Sequence, residues 1–375
     1  MKTKGALLWD FHQPWSVDEI EIGDPRRGEV KAQLEFAGMC HSDHHVVTGD
    51  IPVAAFPVLG GHEGAGVVIE VGDGVDDLVP GDHVATSFIP SCGTCRPCRV
   101  GLLNLCDLGM GLMSGTSVSD GSFRVRSADR DVYAYALLGT FSPYLVVHRS
   151  SLVKIDPAVP FQAAALVSCG VTTGYGSATR AAAVRPGEDV AVVGLGGVGT
   201  AALQGAVHCG ARYVFAVEPA VWKHGLAREL GATHVYCDID TAVAGIAEAT
   251  LGRMAHKVIV TVGRINGADV ETYVSATAKG GTCVLTSMGA VMETDVTLNL
   301  AGLALMQKNL QGSIFGHGNP QHDIPMLLSL YKAGKLNLDD MITKTYSLEQ
   351  INEGYRDMLE GNNIRGVIRY TDADR

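Results

Sequence analysis

The sequence Asp189-Val190-Ala191-Val192-Val193-Gly194-Leu195-Gly196-Gly197-Val198-Gly199 decides the fold class of this chain. Its first five residues are typical of a buried strand. The pattern G-x-G-x-x-G follows directly and opens a helix pattern over about residues 198–209. Gly194 permits the tight turn, Gly196 lets backbone N–H groups approach a pyrophosphate, and Gly199 lets the helix pack closely on the strand. The motif alone is weak, but the strand before it and the helix after it predict a dinucleotide-binding βα unit.

An acidic residue stands where such a unit needs one. Glu218 follows the next strand candidate, Tyr213–Val217, nineteen positions after Gly199. A carboxylate there would accept hydrogen bonds from the ribose hydroxyls of adenosine and would repel the extra phosphate of NADP, so the sequence favours NAD. The alternative is a glycine-rich turn that binds no ligand.

Strand and helix patterns alternate from about residue 171 onward. Further strand candidates lie at 257–262 and 282–287, with a helical stretch between them, and this alternation predicts a parallel sheet. Near residue 315 the pattern changes again. Ser347-Leu348-Glu349-Gln350 has the form of a capping box that opens a helix, and residues 364–370 form a closing strand candidate.

The first 150 residues read differently, as short strands and turns. Residues 30–36 alternate between apolar and polar side chains, which is typical of a half-buried strand. Residues 66–72 and 83–86 are further strand candidates, bounded by Gly, Asp and Pro. This pattern of short strands and turns predicts a small barrel-like β domain.

Composition excludes several classes of protein. The 375 residues carry 40 acidic and 29 basic side chains, and no Lys/Arg run forms a patch for nucleic acid. The first apolar run is too short for a secretory signal. The two long uncharged segments, 157–179 and 190–211, are interrupted by glycines and polar residues, so neither is expected to span a membrane. We therefore expect a cytoplasmic protein with neither a nucleic-acid nor a membrane partner.

Four cysteines form one local cluster with the spacing Cys92-x2-Cys95-x2-Cys98-x7-Cys106. Four thiolates on a short loop suit tetrahedral zinc and leave no position for water, so the spacing predicts a structural zinc site. An iron–sulfur cluster and a disulfide pair are the alternatives.

Cys40, His62 and Cys169 are dispersed, and their spacing alone does not group them. Buried free cysteine is common, and a single histidine is more often structural than a ligand.

The chain resembles the zinc-containing alcohol dehydrogenases of the medium-chain dehydrogenase/reductase superfamily. Gly61-His62-Glu63-x2-Gly66-x5-Gly72-x2-Val75 matches the family's zinc signature, and Cys169-Gly170-x3-Gly174-Tyr175-Gly176 follows in the family's order. The similarity extends from about residue 4 to residue 370. It implies an α/β fold. A GroES-like β-barrel catalytic domain would cover 1–170 and 315–375, and a Rossmann domain with a doubly wound parallel sheet would cover 171–314.

The same resemblance implies two zinc ions per chain. Cys40, His62 and Cys169 would bind the catalytic ion and leave its fourth position for water or substrate. Asp43 would orient His62, and Glu63 would lie close behind the metal. Position 66 is Gly, so the His-Glu-x-x-His pattern of a zinc protease is absent.

The implied reaction oxidises an alcohol to an aldehyde by hydride transfer from a zinc-bound alkoxide to NAD. Ser42 would take the released proton, the nicotinamide ribose would pass it on, and His45 would hand it to solvent. The alternative for His45 is an ordinary surface histidine.

Further residues match cofactor and substrate positions of the family. His41 stands where relatives often place an arginine against the pyrophosphate, Arg365 matches the other pyrophosphate-binding arginine, and Arg264 matches the residue along the adenine. The remaining expected cofactor contacts are Thr173, Leu195, Gly197, Val198 and Lys223. Phe88, Leu112 and Phe141 are candidates for an apolar substrate pocket, with plain core positions as the alternative.

Three subtypes compete. Lys2-Thr3-Lys4-Gly5-Ala6-Leu7-Leu8-Trp9 and Cys40-His41-Ser42-Asp43-His44-His45 are most similar to the nicotinoproteins. These enzymes keep NAD bound and recycle it with an external acceptor such as N,N-dimethyl-4-nitrosoaniline. One alternative is a thiol-dependent formaldehyde dehydrogenase acting on S-hydroxymethyl adducts, although Met110 stands where the glutathione form has an arginine. Another is a non-catalytic or quinone-reductase-like member. We expect a homodimer or higher homo-oligomer, for which residues 298–315 would suit an edge-to-edge interface.

Overall fold

The structure is a computed structural model that describes residues 1–375. Its strands are β1 (Lys2–Leu8), β2 (Ser16–Ile22), β3 (Glu29–Gly38), β4 (Val58–Leu59), β5 (Glu63–Val71), β6 (His83–Thr86), β7 (Val125–Ser127), β8 (Arg130–Ala134), β9 (Tyr144–His148), β10 (Leu152–Lys154), β11 (Asp189–Val193), β12 (Tyr213–Val217), β13 (His234–Tyr236), β14 (Ala255–Val260), β15 (Thr277–Leu285), β16 (Asn309–Gly312), β17 (Ile342–Tyr346) and β18 (Arg365–Arg369).

The α-helices are α1 (His41–Thr48), α2 (Arg96–Arg99), α3 (Phe161–Val167), α4 (Gly170–Gly176), α5 (Gly197–His208), α6 (His224–Glu229), α7 (Ile239–Ala249), α8 (Val270–Ser275), α9 (Leu300–Leu305), α10 (Pro320–Lys332) and α11 (Ile351–Leu359). No helix is both long enough and apolar enough to cross a membrane. The chain divides into two compact units, one of Met1–Cys169 with Asn319–Arg375 and one of Gly170–Gly318.

The first unit is built from β-structure, as predicted. Strands β1, β2, β7, β8 and β4 close into a barrel, and a second sheet has the order β10-β6-β5-β3-β18-β17, with β9 also paired to β3. The capping box of Ser347 and Gln350 is present just before α11. The predicted strand at 83–86 is β6, and the closing strand is β18.

The central strand of that sheet corrects one detail of the prediction. Strand β3 was expected to be half-buried, but its polar side is also covered, since Lys31 is only 4% exposed. The Lys31 ammonium lies 2.7 Å from an Asp24 carboxylate oxygen and 3.0 Å from a Glu70 oxygen. Because two carboxylates accept its hydrogen bonds, the charge is tolerated at this depth. The alternation of apolar and polar residues therefore predicted the position of β3, but it did not predict that Lys31 is buried.

The second unit holds a parallel six-stranded sheet in the order β13-β12-β11-β14-β15-β16. Alternate residues of β11 enter two opposite cores. Val190 and Val192 belong to the cluster that contains Leu203 of α5, while Ala191 belongs to the cluster that contains Ile246 of α7. Both faces of the sheet are covered by helices, which explains the continuous apolar run of β11. The predicted fold class is confirmed.

The glycine turn after β11 sets how closely α5 can approach. A Cβ added at Gly199 would lie 1.8 Å from the carbonyl oxygen of Gly194 and 2.6 Å from the hydroxyl of Thr261. Gly194 itself has a φ of 90°, in the left-handed region. Both glycines are therefore required by the backbone path of the turn.

We expect Gly199→Ala to lower the free energy of unfolding by about 1–3 kcal/mol, since a methyl group must displace backbone at this contact. Gly225→Ala is the matched control, because Gly225 lies in α6 and its added Cβ would have no heavy atom within 4 Å. Alanine favours a helix by about 0.5–1 kcal/mol, so the control should melt at the same or a higher temperature. An unchanged thermal melt for Gly199→Ala would contradict this reading of the turn.

Candidate active site

Two cysteines, one histidine and one glutamate from remote parts of the first unit converge below its surface. One ligand atom from each of Cys40, His62, Glu63 and Cys169 lies within 4.8 Å of the others, and all four residues are buried. Cys40 precedes α1, two residues beyond the end of β3. His62 precedes β5, and Cys169 lies between α3 and α4. The structure thus groups the three residues that spacing alone could not group.

A buried carboxylate fixes the histidine of this group. Asp43 is fully buried, and one of its oxygens lies 3.1 Å from Nδ1 of His62 and accepts the backbone N–H of Gly61 at 3.0 Å. With Nδ1 directed at the carboxylate, Nε2 is the ring nitrogen left for a metal. Two thiols, one imidazole and a tautomer-setting carboxylate fit a zinc ion by the chemistry of the donor set.

The two thiols of the ligand group shift each other's pKa in opposite directions. A hydrogen bond between them lowers the pKa of Cys40 well below the usual thiol value, and His62 lowers it further. The same hydrogen bond, together with burial, raises the pKa of Cys169. A Cys40 thiol with a lowered pKa more readily becomes the thiolate that ligates a metal ion.

Glu63 has its own partner. The guanidinium of Arg365, on β18, forms an ion pair with Glu63, and both side chains are almost completely buried. Arg365 was predicted to bind pyrophosphate, and in the first unit it lies beside the metal-ligand group. A Cβ at Gly38 would lie 1.9 Å from a Glu63 carboxylate oxygen, so this pair requires glycine at position 38.

The histidines of α1 are less exposed than the sequence suggested. His45 is 2% exposed, and its Nδ1 lies 3.0 Å from Oδ2 of Asp50, the same oxygen that accepts the hydroxyl of Thr48 at 2.8 Å. The surface-histidine alternative is therefore wrong. Asp50 was not identified from the sequence, although a carboxylate five residues after His45 was available as a signal.

Ser42 and His41 lie in the first turn of α1. The Ser42 hydroxyl is 3.7 Å from Sγ of Cys40. Burial lowers the pKa of His41 to about 4, and the neighbouring His45 adds to that shift. His41 is thus neutral near pH 7, in contrast to the arginine that relatives often have at this position.

Aromatic rings flank His62. Phe88 meets its imidazole edge-on with ring centres 5.8 Å apart, and Tyr135 does so at 5.6 Å. Sequence reasoning missed Tyr135, since no motif surrounds it. Phe141 is fully buried and packs edge-on against Trp15, which favours the core alternative for this residue. Leu112 is half-buried after the 3₁₀ helix Asp107–Gly111.

The four-cysteine cluster is a second, separate group in the first unit. Cys92, Cys95, Cys98 and Cys106 place their sulfurs within 4.8 Å of one another, and all are free thiols. Burial raises the pKa of Cys92, but hydrogen bonds from Thr94 and Cys95 lower it to about 6. Sulfurs already supplied with N–H donors suit four-coordinate zinc.

The glycine turn of the second unit is joined directly to the acidic residue. The Glu218 carboxylate accepts the backbone N–H of Leu195 at 2.8 Å, and Nζ of Lys223 lies 3.7 Å from its other oxygen. A Cβ added at Gly196 would meet no heavy atom within 4 Å. The turn therefore has open space in front of Gly196, as the approach of a pyrophosphate requires.

Two other predicted cofactor residues also lie in the second unit. Thr173 is 9% exposed in α4, and its carbonyl accepts the Ser177 hydroxyl at 2.7 Å. The Arg264 side chain donates to Asn266 and Glu293, both at 3.0 Å. Their contacts to a cofactor stay predictions.

Comparison with known proteins gives consistent matches. Residues 26–157 match the family of the alcohol dehydrogenase GroES-like domain, and residues 197–333 match the zinc-binding dehydrogenases. Alcohol dehydrogenase B of Mycobacterium tuberculosis is 71% identical over the full length of both chains. The NDMA-dependent alcohol dehydrogenase of Amycolatopsis methanolica is 46% identical over 99% of this chain and 100% of that protein. The crystal structure of benzyl alcohol dehydrogenase from Acinetobacter calcoaceticus aligns with a TM-score of 0.91 at 28% identity, covering 99% of this chain and 100% of that chain.

Metal analysis should find about two zinc ions per chain, because both ligand groups are complete. Cys40→Ser should retain one ion, while Cys95→Ser should lose the other and melt at a lower temperature, since structural zinc contributes folding free energy. Cys237→Ser, an exposed cysteine outside both groups, is the control that should keep both ions. Two ions retained by Cys40→Ser would contradict the assignment of this group.

Gly196→Ala should weaken dinucleotide binding without lowering the stability of the protein from which bound NAD has been removed. The added methyl group has room in the free protein, but it would occupy the space through which the backbone approaches the pyrophosphate. We expect an unchanged melting temperature and at least about tenfold weaker NAD binding by calorimetry, a loss of about 1.4 kcal/mol. Equal NAD affinity for the variant and the parent would contradict the expectation that this turn binds the pyrophosphate.

Proposed function

The chain belongs to the zinc-containing alcohol dehydrogenases of the medium-chain dehydrogenase/reductase superfamily, and from this premise we propose that it oxidises an alcohol to an aldehyde with NAD as hydride acceptor. The observation that carries the proposal is the convergence of Cys40, His62 and Cys169 on one buried point, with Asp43 holding the imidazole. The non-catalytic alternative is disfavoured, because the complete ligand set is retained.

Cys40, His62 and Cys169 would hold the catalytic zinc, and Gly194–Gly199 with Glu218 would hold NAD. When bound, zinc supplies a Lewis acid that makes an alcohol more acidic, and NAD supplies the hydride acceptor. The turn would bind the pyrophosphate through backbone N–H groups, and Glu218 would accept hydrogen bonds from the adenosine ribose.

The chain's own residues would move the proton. Ser42 would take it from the substrate hydroxyl, and the support is its position 3.7 Å from Sγ of Cys40. His45 would receive it on the way to solvent. Asp50 accepts from Nδ1 of His45 and is itself partly exposed, so it would hold the imidazole ring on the side that leads to solvent.

Glu63 and Arg365 would act without touching the substrate. Their ion pair neutralises the Glu63 carboxylate, so this side chain adds no net negative charge beside the two thiols. Phe88, with its ring against His62, would form one apolar wall of the alcohol site. Leu112 and Phe141 are the other proposed wall residues.

We further propose the nicotinoprotein subtype, in which NAD stays bound and an external acceptor recycles it. The support is the resemblance of the α1 segment together with a 46% identical relative that carries the name NDMA-dependent alcohol dehydrogenase. For the thiol-adduct alternative we find no supporting contact, and Met110 is 87% exposed.

We also propose a homo-oligomer formed through the second unit. Strand β16 is the last strand of its sheet and pairs only with β15. Leu300 and Leu305, on the neighbouring helix α9, are 70% and 81% exposed. An unpaired strand edge with apolar residues beside it is typical of a surface that pairs with another chain.

One experiment tests the alcohol dehydrogenase activity and separates the nicotinoprotein subtype from its alternatives. The purified protein, desalted into cofactor-free buffer, is heat-denatured and the supernatant is analysed for NAD, while the native protein is assayed on alcohols and thiol–formaldehyde adducts. Parallel assays use added NAD and N,N-dimethyl-4-nitrosoaniline. We expect about one NAD released per chain and alcohol oxidation with the dye alone.

Cys40→Ser is the matched inactive control. Absence of released NAD, with activity that depends on added NAD, would exclude the nicotinoprotein subtype. No oxidation of any alcohol with either acceptor would contradict the proposed function as a whole.

A further inference from the structure

We propose that Tyr135 is a positioning residue for proton transfer at Ser42. Its phenol hydroxyl donates to the backbone carbonyl of Ser42 at 3.2 Å, and its ring meets the imidazole of His62 edge-on with centres 5.6 Å apart. One side chain therefore links the residue proposed to take the proton to the residue proposed to bind the metal. This inference rests on the proposed function.

The backbone around Tyr135 supports a specific placement. The next two residues, Ala136 and Leu137, have φ values of 53° and 64°, in the left-handed region that side-chain-bearing residues avoid. Each costs about 1–2 kcal/mol relative to the right-handed conformation. Such a pair persists only where the surroundings determine it, and the turn it forms holds Tyr135 against His62.

The start of helix α1 is held by the Asp43 side chain, which contacts His62 and Gly61, and by side-chain hydroxyls that reach its backbone carbonyls. Its N-terminal capping residue is Cys40, whose side chain makes no capping hydrogen bond, and α1 has only eight residues. The Tyr355 hydroxyl lies 3.5 Å from the Cys40 carbonyl, at the limit of a hydrogen bond. Of these two hydroxyl contacts to backbone carbonyls, the Tyr135 contact to Ser42 is the shorter.

A buried hydroxyl that donates to a carbonyl is costly to remove. Tyr135 is 6% exposed, so water would not replace the lost donor without rearrangement. The consequence we infer is a shift of Ser42 by a fraction of an ångström, and proton transfer is sensitive to such displacements. Substrate affinity should not depend on this hydroxyl, because it is already engaged with the backbone of Ser42.

A double-mutant cycle tests the proposal. Tyr135→Phe, which keeps the ring, should lower kcat about tenfold, raise the solvent deuterium isotope effect on kcat and leave KM for the alcohol within about twofold. In the Ser42→Ala background, which keeps the carbonyl but has no hydroxyl to position, Tyr135→Phe should have no further effect on kcat. Zinc content should equal that of the parent in every variant.

Tyr346→Phe is the matched control. Tyr346 is 4% exposed in the same unit, and its hydroxyl donates at 2.6 Å to Asp357, a residue that belongs neither to the ligand group nor to the proposed proton path. The control should lose stability as Tyr135→Phe does, but keep kcat and the isotope effect of the parent. Comparison of the two variants therefore separates a loss of stability from a loss of positioning.

Two results would overturn the inference alone. One is an unchanged kcat for Tyr135→Phe in a protein that oxidises alcohols, and the other is an equal fold-decrease in the parent and Ser42→Ala backgrounds. A parent protein that is inactive with every acceptor would instead remove the proposed function, and the inference with it.

Discussion

The contact between Asp43 and His62 is the constraint on which the rest of the site depends. A fully buried carboxylate accepts from both the Nδ1 side of the imidazole and the backbone N–H of Gly61. It therefore fixes the rotation of the ring, its tautomer and the path of the chain into β5 at the same time. Without that carboxylate the imidazole could rotate, and Cys40 and Cys169 would face no defined third ligand.

The parts of the structure that sequence could predict are those with local signals. The strand, glycine turn and acidic residue from Asp189 to Glu218 were predicted residue by residue, because a tight βα turn constrains each glycine separately. The four-cysteine cluster could be predicted in the same way, because its cysteines lie within one short segment, residues 92–106. By contrast, Cys40, His62 and Cys169 were grouped only through resemblance, since their proximity depends on how the barrel and its flanking helices pack.

Sequence reasoning missed two residues, one close to its partner along the chain and one far from it. Asp50 and Tyr135 both contact the proposed proton path, yet Tyr135 reaches Ser42 across 93 positions of the chain. Long-range contacts of single side chains leave no periodic or spaced pattern. For Phe141 the sequence left a pocket wall and a core position open, and its burial against Trp15 favours the core position.

Charge balance explains why this group of residues fits a cation. Asp43 and Glu63 are both completely buried. The guanidinium of Arg365 pairs with Glu63, whereas Asp43 faces the imidazole of His62. The thiolates that ligate a metal ion would add further negative charge to this group. An uncompensated buried charge destabilises a fold by several kcal/mol. A divalent cation held by the two thiols and the imidazole would offset that cost, so the feature that makes the centre reactive would also help to hold the first unit together.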